Sequence, residues 1–133
     1  MSEDRISPDV RRLLADCIET YAQLECLLLF GRPDNVGWSI QEAAAELRAD
    51  AVTVFEAFEH LGRAGLLTRS HRGLDERFFC AAHHETVKAL WHAYTDSRLD
   101  IMNLMTANAL ERVRTSALRM FAAAFLLDRK KDG

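Results

Sequence analysis

Arg69, Arg72 and Arg77, with His71 between the first two, fall in one short stretch of the chain. A guanidinium is planar, always charged and suited to two-pronged recognition of phosphate or carboxylate. Alternation along a strand places Arg69 and His71 on one face and Ser70 on the other. Gln41 adds an amide donor upstream. Cys80, His83 and His84 are the one compact group of metal-ligand side chains. A structural zinc site takes four ligands, and no second pair is spaced to complete one, so no metal and no cofactor is expected. The three cysteines, Cys17, Cys26 and Cys80, are an odd number without paired spacing, as in reduced thiols. Phosphate-cradling glycine loops and nucleophile-elbow motifs are absent from the sequence, so no catalytic residue is assigned and no enzyme is expected.

The elements that must position the arginines lie between Ser39 and Ala81. Ser39-Ile-Gln-Glu42 is a capping box, in which serine accepts from the Glu42 amide and the glutamate reaches back. It opens a short helix, Gln41 to Arg48, whose Ile40, Ala43, Ala44 and Leu47 form one buried stripe. Asp50 caps a second helix, residues 51–64, with Val54, Ala57, Phe58 and Leu61 inward. Gly65 suits a left-handed stop. Leu66 to His71 and Glu76 to Ala81 then read as a hairpin with Gly73 at its tip.

Two short helices, a glycine stop and a hairpin resemble the winged helix-turn-helix of bacterial transcription regulators of the MarR and PadR type, over about residues 20–81. The resemblance implies a mainly α fold with a small β-hairpin wing, and double-stranded DNA as partner. It implies that the second motif helix enters the major groove and the wing meets the backbone or minor groove. Carried onto this chain, the DNA-facing residues are Gln41, Ala51, Val52, Thr53, Arg63, Arg69, His71, Arg72 and Arg77. Phe55, Glu56 and Glu59 lie on the same helix. They suit a polyanion poorly and a protein surface better, so the alternative is a protein-interaction adaptor that does not bind DNA.

Charge sharpens that alternative. The net charge is −3, with residues 41–65 carrying two basic and five acidic side chains and residues 98–131 seven basic and three acidic. The motif helices are thus acidic while the C-terminal part is basic. A length of 133 residues allows one domain with extensions. The divisions read are an N-terminal helical extension over 1–19, a winged domain over 20–82 and a helical dimerisation extension over 83–133. Ser7-Pro8-Asp9 starts a helix, or two joined helices, running to about Phe30. Helical spacing resumes near His84, with a second start expected at Asn108. The apolar faces of these flanking helices exceed what one small domain covers, so a homodimer is expected. Trp91, Tyr94, Met102, Met105 and Phe121 are placed near its interface. No apolar run is long enough for a membrane span, and Met1-Ser2-Glu3-Asp4-Arg5 opens no secretory signal, so the cytoplasm is expected.

Overall fold

Ser7 begins the first helix as its spacing predicts: its Oγ accepts from the Val10 amide, and Pro8 takes the first helical position. The computed structural model describes residues 6–72 and 75–131, with side chains for 6–70 and 76–126. Helix α1, Pro8–Cys17, ends before Ile18, and α2, Tyr21–Leu29, starts from its own capping box of Thr20 and Gln23. The N-terminal helical pattern is therefore two helices. The Gln23 side chain accepts from the amides of Glu19 and Thr20, which fixes the break. Helix α2 is central: Leu24, Cys26, Leu27, Leu28 and Leu29 are all buried.

Helix α3, Ile40–Leu47, carries both halves of the expected capping box, Ser39 Oγ to the Glu42 amide and Glu42 Oε1 to the Ser39 amide, each at 3.1 Å. Helix α4, Ala51–Arg63, is capped by Asp50, which accepts from the Val52 amide. Val54, Ala57, Phe58 and Leu61 form its buried stripe. Strands β1, Leu67–Arg72, and β2, Asp75–Cys80, pair antiparallel from Leu67 opposite Cys80 to Arg72 opposite Asp75. Trp38 adds a single bridge to Phe78, and its indole N–H donates to the Leu29 carbonyl. Phe58 joins the layers, with its ring edge-on to Phe30 at 5.5 Å and to Phe78 at 4.9 Å. Edge-to-face aromatic pairs of this kind hold the hairpin to α4 and α2 beyond what burial alone supplies.

Helix α5, His84–Asp96, follows His83, which has a left-handed backbone. It presses on the end of α2 so closely that a Cβ on Gly31 would lie 2.5 Å from the Val87 carbonyl oxygen. Helix α6, Arg98–Lys131, has 34 residues, about 51 Å at the usual helical rise. Here the structure corrects the expectation of a new helix start at Asn108. The interruption falls at Ser97, whose carbonyl accepts from Asp100 and Ile101, and α6 continues unbroken through Asn108. No glycine or proline lies from Arg98 to Lys131 to break it. Ile101 and Met105 of α6 join the core, α1 packs on α5 and α6, and Arg112 donates to the carbonyls of Ile18 and Glu19. Beyond Arg112 every described side chain of α6 to Leu126 is exposed.

Candidate nucleic-acid interface

The turn between α3 and α4 closes on backbone hydrogen bonds. The Ala49 amide reaches the Ala44 carbonyl at 2.9 Å and the Arg48 amide the Ala45 carbonyl at 3.3 Å. These bonds satisfy carbonyls that the end of α3 leaves free. Asp50 then aims the first turn of α4. Its carboxylate holds the Val52 amide and accepts from the Thr53 hydroxyl at 3.0 Å, and the Val52 bond is the leading cause of its lowered pKa. Of the residues expected to face DNA, Gln41, Ala51, Val52, Thr53 and Arg63 are all exposed. Gln41 lies on the first turn of α3, Ala51, Val52 and Thr53 on the first turn of α4, and Arg63 at the far end of α4.

Two of the wing arginines, Arg69 and Arg77, are engaged within the fold. Arg69 pairs with Glu59 of α4 and with Glu76 across the hairpin at 2.7 Å, and its guanidinium lies 5.0 Å from the centre of the Phe78 ring. Arg77 pairs with Glu42 at 2.9 Å and donates to the Gly37 carbonyl at 2.9 Å. Two of the acids that make the motif helices negative are therefore the partners of two wing arginines. The Glu42 carboxyl is held below its ordinary range first by the Ser39 amide and then by the Arg77 guanidinium. The side chains of His71 and Arg72, and the turn glycine Gly73, lie outside what the structure describes. Glu56 remains exposed on α4 beside Phe55 at 45% exposure and Val52 at 62%.

Sequence reasoning did not single out Arg48. Its signal was its place alone, two residues before the Asp50 cap. Nor did it find Tyr21. The Tyr21 hydroxyl lies 3.1 Å from that of Tyr94 and accepts from Arg98, whose guanidinium sits 5.6 Å from the Tyr94 ring centre. Burial, then the bond from Tyr21, pushes Tyr94 up to about 12. Of the residues expected at a dimer interface, Trp91, Tyr94 and Met102 are half-buried against the core and Met105 is buried within it. Phe121 is 71% exposed.

Helix-turn-helix, hairpin and flanking helices together define the winged-helix fold of MarR-family regulators. The solved structures most similar in shape include MepR of Staphylococcus aureus, a transcription regulator of the multidrug efflux pump MepA. It shares 14% identity and a TM-score of 0.53 over 86% of this chain and 87% of that one. A MarR-family regulator from Silicibacter pomeroyi matches at 17% identity and a TM-score of 0.52, over 86% and 79% of the two chains. A mutant of the S. aureus MepR bound to an oligodeoxyribonucleotide matches at 16% identity and a TM-score of 0.50, over 86% of each chain. No protein-family model and no curated protein matches the sequence.

Proposed function

We propose that this chain is a cytoplasmic transcription regulator that binds double-stranded DNA as a homodimer. Helix α4 would enter the major groove and the hairpin would contact the backbone. The observation that carries this reading is the winged-helix architecture itself. It presents an exposed α4 edge, with Thr53 and Arg63, beside the hairpin, and it resembles an oligonucleotide-bound regulator over most of the chain. The DNA contacts proposed are Gln41, Ala51, Val52, Thr53, Arg63, Arg69, His71, Arg72 and Arg77, with Val52 and Ala51 suited to thymine methyl groups.

The second copy is argued from α6. Leu110, Val113, Leu118, Met120, Phe121, Phe125 and Leu126 are 56–73% exposed, on a helix whose last buried core residue is Met105 and whose described side chains beyond Arg112 are all exposed. The basic excess of residues 98–131 matches the acidic excess of residues 1–27, three basic against six acidic side chains. That complementarity suits a twofold contact in which α6 of one copy meets the N-terminal helices of the other. We further propose the division into residues 1–19, 20–82 and 83–133.

Selection from a pool of randomised duplexes tests the reading. It should enrich an inverted repeat whose half-sites lie about one helical turn apart, near 10 base pairs. Failure to enrich any sequence would contradict it. A second reading has its own observation: Phe55 and Val52 stand exposed beside Glu56, while Arg69 and Arg77 are already paired. That surface suits a basic protein partner. Phe55→Ala should abolish binding in that case and leave DNA affinity within about twofold in the first.

A further inference from the structure

Helices α3 and α4 end in the same hydrogen-bonded motif with different residues at its left-handed position. At the end of α4 the Leu66 amide bonds the Leu61 carbonyl, the Gly65 amide bonds the Gly62 carbonyl, and Gly65 has φ +82°. At the end of α3 the corresponding bonds run from Ala49 to Ala44 and from Arg48 to Ala45, and the left-handed residue is Arg48, φ +52°. Glycine enters this region freely, whereas every residue with a Cβ is disfavoured there. The turn of the motif thus carries a side chain at a position where the same motif, one helix later, has none.

The charges around the motif show what that side chain offers. Arg69 and Arg77 are held by Glu59, Glu76 and Glu42, and Arg32 is held by Glu46 at 2.9 Å with its guanidinium over Trp38. Arg48 is exposed and makes no ion pair or side-chain hydrogen bond among the described residues. It precedes the Asp50 cap of α4 by two residues, beside the end of the helix that a duplex approaches first in a helix-turn-helix complex.

We infer that Arg48 is a phosphate-contacting residue of the motif turn, and that the strain of its left-handed backbone is retained for that contact. Arg69 and Arg77, whatever they meet on the duplex, also tie the wing to α4 and α3 through Glu59 and Glu42. The inference rests on the DNA-binding reading above.

The two effects of Arg48 have opposite signs, which makes them separable. Arg48→Gly relieves the backbone and should raise the thermal midpoint by roughly 2–4 °C. The same substitution should weaken binding of a mixed-sequence duplex about 3- to 10-fold at low salt, and make the slope of log affinity against log salt shallower by about one per subunit. Arg48→Lys should keep the slope. Arg48→Asn, which also tolerates the left-handed region, should reproduce the loss if the glycine variant folds poorly. Wild-type affinity and slope in both uncharged variants would overturn the inference while leaving DNA binding intact. No binding by the wild-type protein would overturn both.

Discussion

Arg69 and Glu59 face each other between β1 and α4, and the pair decides how much positive charge the motif can show to a polyanion. Neutralising Glu59 removes an anion from the α4 face and leaves Arg69 with Glu76 alone. Glu59→Gln should therefore tighten duplex binding roughly 3- to 10-fold at low salt, with the gain fading as salt screens it; anisotropy titrations of the two proteins would show it, and unchanged affinity would mean that this face meets no phosphate. The thiols make the opposite kind of site. Burial, with Glu25 nearby, pushes Cys26 up to about 12, and burial raises Cys17 and Cys80 as well. Thiolate is the reactive form, so the native protein at neutral pH should react slowly with disulfide reagents, Cys26 slowest, and should gain three fast thiols on unfolding. Rapid native labelling of Cys26 would contradict the packing of α2.

At the scale of elements, the turn chemistry is local and was legible. Ser7, Ser39 and Asp50 each cap the helix that their spacing announces, and Gly65 ends α4 in the left-handed region. The Ser39–Glu42 box carries a prediction with a sign. Ser39→Ala should cost about 1 kcal/mol of stability at pH 7. The Glu42 carboxyl is lowered from its ordinary 4.5, so its charged contacts stabilise the fold above that value and are lost as pH falls through the lowered one. The gap between wild type and Glu42→Gln in urea melts should accordingly narrow as the pH falls below that ordinary 4.5; a gap that widens there would contradict the charged contacts of Glu42 with the Ser39 amide and Arg77. What the sequence concealed was long-range or continuous. Glu42 and Arg77 are 35 residues apart, so counting charge by segment made an acidic head and a basic wing where the fold makes pairs. The stripe from Val87 to Met105 runs straight across Ser97, and the Ser97-Arg98-Leu99-Asp100 cap signal was hidden within it. Asn108 has the type of a cap residue, but the stretch around it favours helix throughout and nothing terminates the turn before it.

The whole molecule is built in two regions that share α2. Helices α3 and α4 and the hairpin pack on one side through Phe30, Phe58 and Phe78, while α1, α5 and the first turns of α6 pack together on the other. Contacts of Tyr21 with Tyr94 and Arg98 run between α2 and this second group. The proposed homodimer rests on the exposed apolar length of α6. Phe121→Asp places a charge on that surface, and it should convert a dimer to a monomer in sedimentation while the monomer's own core, which ends at Met105, stays folded. A wild-type protein that sediments as a monomer at tens of micromolar would contradict the proposed role of α6. Among the described residues no helix is long and apolar enough to cross a membrane.

Anisotropy of a labelled mixed-sequence duplex, titrated with protein of known oligomeric state from low to near-physiological salt, decides whether the motif binds DNA. Winged-helix DNA binding predicts micromolar or tighter affinity at low salt that falls steeply as salt rises, in proportion to the phosphates neutralised. No binding even at low salt would contradict it, and would leave Val52, Phe55 and Glu56 as a surface for a protein.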